Sequence, residues 1–413
     1  MNRASLCPIF KNYLPKPCRY FILSCFFVSL PFEDVSSKSM KMPASNFSLH
    51  PVEFADLPGW HRDDHRAAIM AFQTSCKKIL ETEFAVAAMG KANRRPNGVT
   101  SACRAMRRFS RPPDRHIARK FFETYFVPHK VVAPKQKGLL TGYYEPELRG
   151  SRIRTESFDV PVYRRPDDLI DLKSPTIQGN SLNGLLAARK TSLGLEPFPT
   201  REDIHKGVLQ GQDLEILYLS DVVDLFFLQI QGSGRIKLTD GSDVRIGYDG
   251  RNGYPYTSIG KIMIARQIIP DSGMSLDAVK DWLRNNGEQA SQIMWQNKSY
   301  IFFRELKSRE GSQGPLGAMS VSLTPGRSLA VDTRYHKLGM PIYVVAPDMR
   351  HHGENGFKRL MIAQDVGSAI KGAERGDIYW GSGLAAGKVA GKTMANGSYF
   401  VLVPKLAIGN HKR

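Results

Sequence analysis

Downstream of Pro128 the chain is a series of short apolar or β-branched runs punctuated by Gly, Pro and Asp, and this punctuation limits the fold more than any other feature. The runs sit in "GLLTGYYEP", "DLFFLQIQGSGRI", "VRIGYDGRNG", "SLAVDTRYHKLGMPIYVVAP", "RLMIAQDVG" and "SYFVLVP". Short stretches bounded by turn formers read as strands. Strands so brief and so often interrupted by Gly favour barrels over open sheets. The expected fold class is therefore mainly β with flanking helices.

The helices are expected in two places. Between Asp63 and Phe126, "DDHRAAIMAFQTSCKKILE" opens on acids and closes on lysines, the order that suits the helix dipole. "DRHIARKFFETYF" then spaces Ile117, Phe121 and Tyr125 one turn apart on a single predicted face. A second helical stretch runs from Ser258 to about Asn286. In it Ser275 caps "SLDAVKDWLRNN", and the stripe of Val279, Trp282 and Leu283 is core material.

Composition narrows the function. With 413 residues, 42% of them hydrophobic, the chain is an ordinary globular protein with room for at least two domains. Its formal charge of +19 concentrates polyanions near the surface. The cations are dispersed, with only short pairs such as Arg107-Arg108 and Arg164-Arg165 and no nucleic-acid motif, so nucleic acid is not the expected partner. The Gly-x-Gly of "IQGSGRI" lacks a third Gly and a following helix, which argues against a dinucleotide loop. There is no His-Glu-x-x-His, and His351-His352 reads as a solvated pair, so neither metal nor cofactor is expected.

The amino end differs from the rest. Arg3, Lys11, Lys16 and Arg19 precede the apolar stretch Tyr20 to Phe32, and no acid appears before Glu33. That is the pattern of a secretory signal, placed here in residues 1–45, and it is too short to span a bilayer comfortably. A mis-assigned start followed by a fortuitous apolar patch is the alternative. Cys25 lies inside the apolar run and not at its end, a poor lipidation site. With Cys7, Cys18 and Cys25 in the leader, only Cys76 and Cys103 remain, so one internal disulfide at most can form. A thiol nucleophile in the C-terminal two thirds is excluded.

Three acids near the end invite a chemical reading. Asp332 in "LAVDTR", Asp365 in "IAQDVG" and Asp377 in "RGDIYWG" each sit at the edge of an apolar run. Partial burial would raise their pKa values and make them proton donors near neutrality; alternatively, they hold turns by accepting backbone amides. Beside Asp377, Tyr379 and Trp380 offer a flat apolar face for a sugar ring, and the following Gly-Ser-Gly lets a bulky ligand approach the backbone. The same aromatics would serve equally as barrel core. Gln229 and Gln231, if on a strand, point the same way beside Ser233, either toward the amides and hydroxyls of a saccharide or toward solvent.

Taken in order, "LTGYYEPELRGS", "FFLQIQGSGRI", "YDGRNGYPYTSIGK", "NKSYIFFRE", "GPLGAMSVSLTPGRSLAVDTRYHKLGMPIYV" and "RLMIAQDVGSAIKGAERGDIYWGSG" resemble the MltA family of lytic murein transglycosylases from about residue 138 onward. The last segment is similar to the 3D domain, about 325–405, whose three aspartates map to Asp332, Asp365 and Asp377. The resemblance implies a double-psi β-barrel catalytic domain made of residues 46–146 and 312–413, with a second β-barrel inserted at 147–311. It implies Asp377 as the single catalytic acid. Asp365, Thr141, Gln231, Ser233 and, from the aromatic reading above, Trp380 are the expected substrate-binding residues. The implied partner is the glycan strand of peptidoglycan, cleaved exolytically to 1,6-anhydro ends without a cofactor by an exported periplasmic monomer, with or without outer-membrane association. A non-catalytic wall-binding barrel is the competing function. Two features depart from the family pattern: "YHKLG" at Tyr335 to Gly339, where a Pro usually precedes Leu-Gly, and a leader that lacks a convincing lipobox.

Overall fold

A computed structural model of the protein describes residues 47–88, 98–133, 138–172, 182–307, 314–349 and 356–405. The leader and the His351-His352 pair lie outside these residues. One nine-stranded sheet is assembled from both ends of the described chain. Its order is Ser48–Pro51, Phe126–Val132, Ser398–Pro404, Pro341–Ala346, Phe357–Asp365, Ser328–Val331, Arg375–Ser382, Leu139–Glu145 and Met394–Asn396. Two neighbouring pairs are parallel, Ser328–Val331 with Phe357–Asp365 and Arg375–Ser382 with Leu139–Glu145; the others are antiparallel.

Both faces of this sheet are covered, which explains why "PIYVVA" is apolar throughout instead of alternating. Tyr343 and Val345 pack with helices His65–Ala88, Gly98–Met106 and Arg115–Tyr125, while Ile342, Val344 and Ala346 face the opposite core with Met361, Ala363 and Ile378. On Arg115–Tyr125 the buried residues are Ala118, Phe121 and Phe122. Ile117, expected on the inner face, is 45% exposed. The contact stripe follows the three- and four-residue spacings, and a strict spacing of four drifts off it.

Two covalent or ionic ties fix the helices. Cys76 and Cys103 form a disulfide between His65–Ala88 and Gly98–Met106, with Cα atoms 5.0 Å apart. Asp63, just before the first of these helices, receives both guanidinium nitrogens of Arg327 (2.8 and 2.9 Å) and the Leu360 amide (2.7 Å). Both side chains are buried, and the added hydrogen bonds give that pair the satisfied geometry a buried ion pair requires.

The middle of the chain builds a six-stranded sheet in the order Ile301–Glu305, Asp243–Arg251, Ser233–Leu238, Glu147–Ser151, Glu215–Leu219, Val160–Tyr163. A bridge between Arg164 and Phe303 joins its two edges, so the sheet curls back on itself. Its interior holds Val162, Leu217, Ile236, Ile246 and Phe303, with Leu225 and Leu228 from a helix.

That helix, Val222–Gln231, corrects the strand expected in "DLFFLQIQG". Asp221 caps it through the Val223 amide, and Gly232 ends it at φ 77°. Val223 and every residue from Leu225 to Gln229 are buried, so five consecutive positions in the segment show no polar side. A helix buried all round carries no period by which to tell it from a buried strand. The other helical stretch is as expected at Ser258 and Ser275, which cap Ile259–Ala265 and Leu276–Asn285, and Val279 and Leu283 are buried. It then continues into Gly287–Trp295, beyond the expected end at Asn286.

Candidate active site

The sheet register brings the key acids together. Asp377 lies opposite Thr141 on one neighbouring strand and Ala330 on the other. Across Ser328–Val331, Ala330 is in turn opposite Asp365, because a bulge skips Gln364. The two aspartates thus flank a single alanine, two strand spacings or roughly 10 Å apart at the backbone. Gln364 turns the other way, into the helices, and donates to the Ala71 carbonyl and Ser75 hydroxyl.

Each carboxyl has its own partner on the strand Leu139–Glu145. The Thr141 hydroxyl donates to Asp377 Oδ1 at 2.6 Å, and the Tyr143 hydroxyl donates to Asp365 Oδ2 at 2.7 Å. Thr141 and Tyr143 share a face because side chains two apart on a strand point the same way. Asp365 also accepts the amides of Ala318 and Val366, both at 2.9 Å.

Burial pushes Asp377 from 3.8 up to about 6, against the Thr141 hydrogen bond and the Arg375 charge, which pull it down; Asp365 adds a smaller upward push. Burial also raises Asp365, opposed by its three hydrogen bonds. A carboxyl near 6 is available as an acid and, once ionised, as a base at neutral pH. Asp377 has the fewer partners of the two, and it is the acid free to exchange a proton.

A second polar cluster anchors the ends of these strands to the inserted sheet. Glu145, fully buried, pairs with Arg245 at 2.7 Å and accepts from Ser382 at 2.6 Å. Tyr379 contacts Ser382 through its hydroxyl (3.3 Å) and packs on the Tyr143 ring, 5.4 Å between centroids.

The remaining expected residues scatter. Gln231, at the end of its helix, accepts the Tyr144 amide at 3.0 Å and so reaches the strand that carries Thr141. Ser233 is buried at the start of Ser233–Leu238. Gln229 does not share a face with Gln231: on a helix two residues are about 200° apart. It is buried against Arg201 and the Ile301 carbonyl. Trp380 is not beside the carboxyl of Asp377. Strand alternation sends it to the opposite side, against Phe357, Tyr144 and Ala390, where Gly142 leaves room for its indole. Asp332 holds a turn, bound by Arg334 and the Gly372 amide, which keep it below the usual carboxylate value despite burial. Tyr143, Glu145, Arg245 and Ser382 escaped the sequence reading. Only Tyr143 carried a signal, its two-residue spacing from Thr141.

The chain matches the family models for the MltA specific insert domain over residues 139–304 and the 3D domain over residues 327–403. It is 32% identical over 257 residues to the membrane-bound lytic murein transglycosylase A homolog of Buchnera aphidicola subsp. Schizaphis graminum (strain Sg), covering 61% of this chain and 62% of that one, less than two thirds of that relative's length. The crystal structure of a membrane-bound lytic murein transglycosylase from Agrobacterium tumefaciens matches with a TM-score of 0.76 at 33% identity, over 86% of this chain and 98% of that chain. Crystalline E. coli MltA with bound chitohexaose matches with a TM-score of 0.55 at 27% identity, over 75% of this chain and 83% of that chain. Inserted sheet, aspartate-bearing strands and sequence agree, and the chain belongs to the MltA family of membrane-bound lytic murein transglycosylase A enzymes.

Proposed function

We propose that this enzyme cleaves the β-1,4 bond between N-acetylmuramic acid and N-acetylglucosamine in peptidoglycan, exolytically, leaving 1,6-anhydro-N-acetylmuramic acid ends. The observation that carries the reading is Asp377, a half-buried carboxyl raised to about 6, beside a second acid already committed to Tyr143 and two amides. Glycosidases that admit water ordinarily use two working carboxyls. With one, the substrate supplies its own nucleophile.

Asp377 first gives its proton to the glycosidic oxygen as the C1–O bond breaks. The resulting carboxylate takes the proton of the C6 hydroxyl as O6 bonds to C1, which restores the acid and consumes no water. An attacking hydroxyl on the same ring is already in place, an advantage of roughly 7–11 kcal/mol in the best intramolecular reactions. Thr141 orients the carboxyl, and Asp365, Gln231 and Ser233 belong to the glycan-binding surface. A relative crystallised with chitohexaose supports a β-1,4-linked sugar chain as the ligand class. We assign the catalytic domain to 46–146 and 312–413 and the insert to 147–311. The Cys76–Cys103 disulfide supports export to the oxidising periplasm. No described helix is long and apolar enough to cross a membrane.

Purified protein incubated with murein sacculi should release anhydro-muropeptides, each one water lighter than a hydrolysis product, as small fragments from the first time points. Reducing-end products would make it a hydrolase, long fragments would refute exolytic action, and binding without release would favour the wall-binding alternative.

A further inference from the structure

The inserted barrel contains a buried cation that the reaction does not use. Arg201 is 6% exposed. Among the described residues no carboxylate pairs with it, and the ionisable groups coupled to it, Tyr256, Tyr300 and His205, carry no negative charge near neutral pH. Its nitrogens donate to the Asn297 carbonyl, the Gln229 side chain and the Ser299 carbonyl, and its plane lies over the rings of Phe226 (4.6 Å) and Tyr300 (5.4 Å). A guanidinium has five N–H groups, so these three bonds fix its orientation and leave two donors without an acceptor among the described residues. Neutral acceptors also leave the charge uncancelled, and burial lowers its pKa to about 10, the mark of an unsolvated cation.

Arg201 lines a cavity of about 210 Å³ whose other walls include Tyr163, Ile204, Met294 and Tyr300. One acid, Asp159, stands at its exposed mouth without pairing to Arg201, and burial holds the nearby His205 below its ordinary value, hence neutral. The cavity therefore offers one buried positive charge in a wall that mixes apolar side chains with Tyr163, Gln210 and Tyr300. That pattern selects a monoanion; a phosphate dianion would call for a second cation. The lining residues all fall between Asp159 and Tyr300, outside the nine-stranded sheet that carries Asp377.

We propose that this cavity is a binding pocket for a small carboxylate with a compact apolar body, anchored by Arg201. Such a carboxylate belongs either to a free acid of amino-acid size or to the C-terminus of a peptide.

Calorimetric titration of the full chain with N-acetylalanine, with trialanine and with the carboxamide of each tests the proposal. Saturable binding is expected, weakened at least about tenfold in the carboxamides. Binding of N-acetylalanine alone identifies a free acid; binding of trialanine alone identifies a chain terminus. Arg201→Gln should abolish the signal, but it also removes structural bonds. Val222→Trp enlarges a lining residue and keeps those bonds, so it should lose binding while the chain still melts cooperatively and releases muropeptides. No binding by either probe at about 100 mM, or binding indifferent to the carboxamide or to Val222→Trp, overturns the proposal.

Discussion

Asp377 is held in a state that costs stability. Its carboxyl is raised to about 6 in the folded chain, against 3.8 when solvated. Below 3.8 both states are protonated and nothing is lost. Between that value and about 6 the folded state binds more proton, so stability falls as pH rises through this window, by roughly 3 kcal/mol in all. Asp377→Asn should therefore lower kcat by about 1000-fold or more and yet melt at a higher temperature than the parent at pH 7.5, with that gain disappearing at pH 4. Equal melting at both pH values would contradict the buried-acid account. Thr141→Val removes a donor that favours the carboxylate, so the alkaline limb of the kcat/KM profile should move upward from about pH 6. An unmoved limb would mean that the titrating acid is elsewhere. These residues show how far sequence reading reached. Motif and resemblance singled out Asp377 and Thr141 but not the hydrogen bond that joins them. Trp380 was misplaced, because a tally of aromatics near an acid ignores the alternation of a strand.

At the scale of elements, the helical layer is tied to the sheet at two kinds of joint. The disulfide closes a loop spanning 27 residues of sequence between His65–Ala88 and Gly98–Met106. In the chain-entropy account it contributes about 3.5 kcal/mol. Cys76→Ser should lower the free energy of unfolding measured in urea by that amount without changing the pH profile of activity, since neither cysteine is hydrogen-bonded to Asp377 or Asp365. Val222–Gln231 was read as a strand because the unbroken buried run from Leu225 to Gln229 hides the periodicity that separates helix from strand. Its C-terminal Gln231 was nonetheless singled out, and it reaches the Tyr144 amide from a helix end instead of a strand face.

For the whole molecule, chain order and spatial order differ most where function resides. Leu139–Glu145 precedes the inserted sheet in sequence and lies between Arg375–Ser382 and Met394–Asn396 in space. Ser398–Pro404 is interior to the same sheet, between Phe126–Val132 and Pro341–Ala346. A chain ended after Thr393 would lose both late strands and leave the facing residues Tyr343 and Val131 without their cover. It should fail to give a cooperative thermal transition, and a sharp transition at the parental temperature would show that the sheet tolerates the gap. The sequence by itself determined the run of short strands, the helix caps at Ser258 and Ser275, the limit of one disulfide and the placing of three acids at the edges of apolar runs. These follow from local propensity and side-chain type, which need no distant partner. Only the tertiary structure decided which donor each acid receives, which side Trp380 faces and how Glu145 meets Arg245. Thr141 and Asp377 are 236 residues apart in the chain. Register, burial and pKa arise where such distant strands pair, and no local window contains them.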